Sequence, residues 1–188
     1  MSILQDCSDE ELMTSLVRGR QQAFNELYRR HARRMYHYFL RMLNRDEEKA
    51  GDFLQDLFLK IAEKPQRFDA DKRFSTWLFS VAYNMCKNEY RRMNVRRNME
   101  AGHDLDAMPC AAVASDGFVE QRQFMDALDR ELHGLDEQQR TCFLLRYKEQ
   151  FSIREISEIL DCPEGTVKSR LHYTIRRLSG ALEEFRPI

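Results

Sequence analysis

The sequence predicts an all-α protein of two small helical domains joined by a flexible linker, the C-terminal one a helix-turn-helix. Three observations carry this. Almost every stretch with an apolar period has the helical one. Periodicity fails between Asn94 and Asp116, a segment rich in Ala, Asp and Asn that contains Gly102 and Pro109. Residues 152–178, SIREISEILDCPEGTVKSRLHYTIRRL, read as two helices broken by Asp161, Cys162 and Pro163. The expected units are therefore residues 1–93, a linker at 94–117, and residues 118–188.

Taken in order, Ser8 followed by Glu11 is a capping box and opens a helix carrying Leu12, Leu16 and Val17, with Gly19 ending it. A second helix runs from Gln22 to Leu43, with Phe24, Leu27, Tyr28, Met35, Phe39 and Met42 on its apolar side. A third runs from Glu47 to Lys64 and stops at Pro65; it is expected to bury Ala50, Phe53, Leu54, Leu57, Phe58 and Ile61. The loop Gln66–Arg73 leads to a fourth helix, from Ser75 or Thr76 to Met93, burying Leu78, Val81, Ala82 and Met85. Helical pattern resumes at Phe118 with Phe124, Met125, Leu128 and Leu132, and continues near Glu137–Glu149.

In the last motif, Ile153, Ile156, Ile159 and Leu160 line the first helix, and Val167, Leu171, Ile175 and Leu178 the second. Both stripes must be buried, so the two helices pack on each other and on a neighbour. The second helix turns Thr166, Ser169, Tyr173 and Arg176 away from its core, flanked by Lys168, Arg170, His172 and Arg177. Short hydrogen-bonding side chains at the centre can read base edges, and cations at the sides can neutralise phosphates. Spacing and chemistry both match a helix lying in a DNA major groove. The alternative is an ordinary helical hairpin with a solvated basic face.

Composition narrows the class. The apolar fraction of 43% suits a soluble protein with a core. No apolar run reaches membrane-spanning length, and the start, MSILQDCSDEELM, lacks a signal-peptide pattern, so a cytoplasmic protein with no direct membrane insertion is expected. The five cysteines (Cys7, Cys86, Cys110, Cys142, Cys162) are scattered and odd in number, which argues for reduced thiols. His103 and Cys110 have no zinc-site spacing around them. There is no Gly-rich phosphate loop, metal cluster or nucleophile–base pair, so no enzyme activity, cofactor, metal or small-molecule substrate is expected. Net charge is −1, yet basic clusters sit at Arg29–Arg34, Arg91–Arg97 and Lys168–Arg177 while acids gather elsewhere. Such a chain would bind DNA weakly by itself, which fits a protein brought to DNA by a partner.

Two helix faces look unlike solvated surfaces. The third helix carries Asp52, Gln55, Asp56 and Leu59 opposite its apolar side, an apolar centre with an acidic rim that resembles a partner-binding surface. On the fourth, a stripe of Trp77, Ser80, Asn84, Lys87 and Arg91 combines an aromatic, an amide and cations. That combination suits stacking on unpaired bases, reading a base edge and holding phosphates. The opposing reading makes Trp77 a core residue and Lys87–Arg92 a solvated helix end.

Three segments, AGDFLQDLFLKI, RFSTWLFSVAYNMCKNEYRR and FSIREISEILDCPEGTVKSRLHYTIRRL, together resemble the extracytoplasmic-function (ECF) group of bacterial sigma factors, the smallest of the sigma-70 family. Their order and separation match the family across nearly the whole chain. The resemblance implies a specificity factor that binds core RNA polymerase and directs promoter-specific initiation. Asp52, Gln55 and Asp56 would dock on the clamp helices of the largest polymerase subunit. Asn84 would hold the base-reading position for the −10 element, with Trp77 and Lys87 nearby. Lys168, Ser169, His172 and Tyr173 would read the −35 element. The linker, with Asp104, Asp106 and Asp116, would thread toward the RNA exit path, and an anti-sigma factor is an expected inhibitory partner. Tyr173 departs from the family: many relatives carry Arg there, and tyrosine cannot make the bidentate guanine contact. Two rival classes remain. A stand-alone helix-turn-helix regulator would bind DNA tightly without polymerase, usually as a dimer. A purely protein-binding helical adaptor would tolerate loss of Ser169 and Arg176.

Overall fold

The computed structural model describes residues 3–99 and 119–185, and every regular element among them is helical. Helix α1 spans Asp9–Val17, α2 Gln21–Met42, α3 Glu47–Glu63 and α4 Phe74–Met99. Beyond the undescribed segment come α5 (Val119–His133), α6 (Glu137–Phe143), α7 (Ile153–Leu160) and α8 (Glu164–Ala181).

The helix boundaries have local causes. Ser8 and Glu11 form the expected capping box, the hydroxyl accepting from the Glu11 amide at 3.1 Å and the carboxylate from the Ser8 amide at 2.7 Å. Gly19 leaves α1 at φ +83°, where a side chain would be strained. Asp46 caps α3 through the Lys49 amide at 3.0 Å. The first amide of α4, Phe74, donates to the Glu10 carboxylate of α1 at 2.8 Å, an acid set where the helix dipole favours it. Helix α6 runs into a π turn, Leu144–Lys148, closed by Gln150 at φ +60°.

Several details differ from the sequence reading. Helix α4 continues to Met99, past the expected limit at Met93, because MNVRRNM holds no Gly or Pro and the first breaker is Gly102. The linker expected at 94–117 is thus helical at its start; the rest of it, with His103, Asp104, Asp106, Cys110 and Asp116, lies outside the described residues. Val17 is 52% exposed, and Met13 with Leu12 fills the core side of α1. Tyr28 is exposed, Phe53, Leu54, Val81 and Met85 are half-buried, and Met125 is on the surface. In α8 Ile175 is exposed while Thr174 is fully buried, so the stripe is Val167, Leu171, Thr174 and Leu178. By 3.6-residue geometry Thr174 lies about 20° from Val167 around the helix, inside the buried arc, and Ile175 about 80° from it, outside that arc.

The two helical groups, α1–α4 and α5–α8, are not separate globules. One buried apolar cluster runs from Leu12 to Leu178 through both. Helix α4 is the shared element. Leu78 and Ala82 lie in the α2–α3 bundle, while a second face with Phe79, Tyr83 and Cys86 is also buried and α7 packs along it. Phe79 has its centroid 5.2 Å from Tyr38 and 5.0 Å from Phe151, with the Arg34 guanidinium 4.9 Å above its ring. Truncating a buried phenylalanine in such a position costs about 3–5 kcal/mol.

Candidate nucleic-acid interface

The helix-turn-helix is set by two caps and one left-handed residue. Ser152 and Glu155 make a second capping box at the start of α7, with bonds of 3.2 and 2.9 Å. Asp161 ends α7 at φ +50°, the region that aspartate tolerates better than most residues, and Pro163 precedes the first turn of α8. With Val167, Leu171, Thr174 and Leu178 turned inward, Lys168, Ser169, His172, Tyr173 and Arg176 form one exposed face. Tyr173 is 61% exposed. The Ser169 hydroxyl donates to the Thr166 carbonyl at 3.0 Å and remains able to accept. The flank is different. Thr166 and Arg170 are half-buried; Arg170 bonds the Gln138 side chain of α6 and donates to Cys162 Sγ at 3.5 Å. Arg177 is exposed and lies 3.9 Å from Glu131. Arg170 therefore braces the motif against α6 rather than joining the exposed face.

On α3, Asp52, Gln55, Asp56 and Leu59 are all exposed, and Leu59 stands 55% open to solvent among polar neighbours. On α4 the five stripe residues divide. Asn84 and Arg91 are exposed, whereas Trp77, Ser80 and Lys87 are half-buried. The Trp77 ring packs on Phe68 at 5.3 Å and Phe74 at 5.9 Å, so it is anchored in an aromatic cluster and offers only part of its surface. Lys87 Nζ sits 5.7 Å from the Tyr83 ring centroid.

The basic cluster Arg29–Arg34 is largely paired within the protein. Arg29 and Arg30 both bond Glu26, at 2.7–2.9 Å, and hold its carboxyl down at about 2. Arg30 also reaches the carbonyls of Leu4, Gln5 and Cys7 and the carboxylate of Asp9, tying the first turn of chain to α2. Asp9 accepts from His31 at 2.7 Å as well; burial pushes its carboxyl up, but the His31 and Arg30 contacts together hold it below the usual range. Arg34 pairs with Glu149 at 2.5 Å. Little of this cluster is left to make the basic surface that the sequence pattern suggested.

Against known proteins, the sigma-70 region 2 family model matches residues 27–96 and the sigma-70 region 4 model residues 125–178. The ECF RNA polymerase sigma factor SigM of Mycobacterium tuberculosis is 31% identical over 175 residues, covering 93% of this chain and 85% of the relative. The chain belongs to the ECF group of sigma-70-family RNA polymerase sigma factors. The ECF factor SigW of Bacillus subtilis is 29% identical, with 82% and 86% of the two chains covered. In fold, this sigma factor is similar to RpoE of Bartonella quintana, solved with the anti-sigma factor NepR, at a TM-score of 0.69 and 22% identity over 87% of this chain and 98% of that one. It is equally similar to CnrH, solved with the cytosolic domain of CnrY, at 0.69 and 22% over 95% and 99%.

Membership of this family separates the chain from stand-alone regulators: a sigma factor acts in transcription initiation through polymerase. No helix among the described residues is long and apolar enough to cross a membrane, and no cluster of potential metal ligands occurs among them. The sequence reading missed the residues that join the sigma factor's two regions. Arg140 of α6 is only 5% exposed. Its Nε donates to the Leu132 carbonyl at 2.9 Å and Nη2 to that of His133 at 2.7 Å, while Nη1 reaches Asn44 Oδ1 and the Tyr90 hydroxyl, both at 3.1 Å. Leu132 and His133 end α5 and Met42 ends α2, so the guanidinium sits where the negative ends of two helix dipoles meet. Tyr90 adds a bond to the Met42 carbonyl. A lone arginine in a polar run carries no periodic signal that could have flagged this role. Burial at this seam lifts Tyr83 and Tyr90 to about 12 and raises the Glu137 carboxyl despite Lys87 and Arg91 nearby.

Proposed function

We propose that the chain binds core RNA polymerase through Asp52, Gln55, Asp56 and Leu59, and that the holoenzyme then reads two promoter elements. In this reading α4 captures bases of the −10 element, with Asn84 reading a base edge, Trp77 and Ser80 shaping the site, and Lys87 and Arg91 holding the strand's phosphates. Helix α8 enters the −35 major groove, where Lys168, Ser169, His172, Tyr173 and Arg176 face the bases and backbone. Thr166, Arg170 and Arg177 support that helix from its flank. Residues 1–93 form the polymerase and −10 unit, extended by the end of α4; 94–117 supply the connection; 118–188 form the −35 unit.

The observation that favours this reading most is that a sigma-family chain exposes chemically distinct groups on three separate helices: the whole α3 face, Asn84 and Arg91 of α4, and the centre of α8. A dimeric regulator needs only one of them. Trapping bases as they unstack couples recognition to strand opening, while the chemistry of RNA synthesis stays in polymerase. The chain would act in the cytoplasm, and an anti-sigma factor would restrain it, as NepR and CnrY accompany the similar folds. The test is run-off transcription from a promoter library with core polymerase, with and without the protein. Initiation at a defined bipartite motif only when both are present supports the reading. DNA shifted by the protein alone, with polymerase adding nothing, refutes it.

A further inference from the structure

Two aromatic rings stand together on the exposed side of α8. His172 and Tyr173 have centroids 5.6 Å apart with their planes at 74°, and Tyr173 is 61% exposed. Around the helix axis Gly165, Ser169, His172, Tyr173 and Arg176 all lie within about 50° of the line opposite the buried stripe. The first two are small. A Cβ added at Gly165 would meet nothing within 4 Å, and Ser169 is exposed. The start of α8 therefore presents a low surface, and the two rings rise from it one turn further on. Neighbouring positions on a helix point about 100° apart, yet these rings meet edge to face and form one apolar wall. Exposed cations stand on either side of it, Lys168 with Glu164 at 3.9 Å and Arg176 one turn beyond.

The chemistry of these groups selects among base pairs. In the major groove only adenine N6 and cytosine N4 donate hydrogen bonds, and the thymine C5-methyl is the one apolar group. The Ser169 hydroxyl commits its proton to the Thr166 carbonyl at 3.0 Å, so it meets DNA as an acceptor. An acceptor at this place matches adenine or cytosine and leaves lone pairs unmatched against guanine or thymine. It cannot tell adenine from cytosine. The ring pair can, because only an A·T pair sets a methyl beside the amino group. Ser169 and Tyr173 are one turn, about 6 Å, apart along the axis, close to two base-pair steps of about 3.4 Å. The Tyr173 hydroxyl offers guanine a single uncharged bond, where an arginine fork would give two charged ones.

We propose that His172 and Tyr173 read thymine methyl groups in the −35 duplex while Ser169 accepts from an adenine amino group, so that the centre of this upstream element is selected as A·T pairs. The proposal rests on the −35 assignment of α8 above. Lys168 and Arg176 then hold phosphates on either side and add affinity without sequence information. Burying one methyl group changes affinity about fourfold, and one matched hydrogen bond about fivefold. The competing use for Tyr173 is a phosphate that accepts from its hydroxyl, a contact indifferent to sequence.

Base analogues test this with the full-length protein bound to core polymerase. Selection from a randomised −35 duplex first gives the preferred sequence, which should hold A·T pairs at its centre. Each thymine is then replaced by deoxyuridine, which deletes only the methyl, and each adenine by deoxynebularine, which deletes the amino group. Wild type should lose about fourfold in affinity at one or more uracils and about fivefold at a nebularine. Tyr173→Ala should be indifferent to those uracils, and Ser169→Ala should remove the part of the nebularine penalty that weaker base pairing does not explain. Tyr173→Phe should keep the uracil penalty, and Tyr173→Arg should select guanine where wild type selects an A·T pair. Both positions are exposed, so melting temperatures should stay near that of wild type. A wild type indifferent to every uracil, or a penalty that survives Tyr173→Ala, overturns the methyl reading. Equal loss on all sequences in Tyr173→Phe gives the ring to a phosphate and overturns it too. A nebularine penalty identical in Ser169→Ala overturns the acceptor role. Selection that yields no −35 preference at all is a distinct result, and overturns the assignment of α8 beneath the proposal.

Discussion

Reversing the acids of α3, Asp52→Arg with Asp56→Arg, separates folding from docking because the two effects differ in size. Both side chains are exposed, and Asp56 has one ion pair, with Lys60 at 4.0 Å, between groups that are 62% and 54% exposed. An exposed pair at this spacing contributes about 0.3–0.5 kcal/mol, and the like-charge pair that replaces it costs a similar amount. Neither residue lies in the first turn of α3, so the dipole term is small. The variant should lose at most about 1 kcal/mol, a fall of roughly 2–4 °C in Tm for a chain of this size. If both carboxylates are paired inside the polymerase interface, each loss costs about 2 kcal/mol or more, so the double variant should bind core roughly a thousandfold more weakly. Titration of labelled protein with core polymerase measures this, and a thermal melt controls for folding. A variant with near-native Tm that binds core as wild type does would sink the docking assignment.

Three further outcomes are expected. Asn84→Ala should reduce permanganate-reactive open complex about tenfold while leaving initial duplex binding intact, since only an unstacked base meets this side chain; loss of duplex binding with normal melting contradicts base capture. The Glu26 carboxyl is depressed to about 2 from an ordinary 4.5, so it contributes stability above the higher value that is lost as pH falls toward the lower one. Glu26→Gln should therefore flatten the stability profile between those pH values in urea titrations, and an unchanged acid limb would show that the Arg29 and Arg30 contacts do not hold. Thr174 buries a hydroxyl without a hydrogen-bond partner, so Thr174→Val should raise stability by about 1 kcal/mol and leave −35 binding alone. A drop in stability means the hydroxyl has a partner.

Periodic elements were the legible part of this chain. The capping boxes at Ser8 and Ser152, the stop at Pro65 and the break at Asp161–Pro163 each have a local cause that sequence displays directly. Exposure of the α3 face and of the centre of α8 followed from the same arithmetic. What sequence could not display was anything fixed by a distant partner. Phe79, Tyr83 and Cys86 fall outside the stripe chosen for α4, yet they are buried, Phe79 between Tyr38 of α2 and the distant Phe151. Ile175 and Thr174 exchange roles because one residue of rotation moves an edge position across the core boundary, and hydrophobicity alone favoured the wrong neighbour. The cluster Arg29–Arg34 looked like a basic patch because two of its acids are distant, Asp9 by 21 and 22 positions and Glu149 by 115, although Glu26, three and four positions from Arg29 and Arg30, was visible in the sequence.

A helix covered on both sides changes how the whole molecule comes apart. Heating cannot release α5–α8 without uncovering Phe79, Tyr83 and Cys86, nor unravel α4 without removing the floor under α7. The two halves therefore share one melting event, and calorimetry should record a single cooperative peak. The same coupling governs dissection. A fragment cut after α4 would carry a greasy strip with no lid, the sort of surface that drives precipitation during purification. A polar replacement at Tyr83 is the natural remedy for anyone isolating the first half, whereas Phe79 must stay because its ring also packs on Tyr38 of α2.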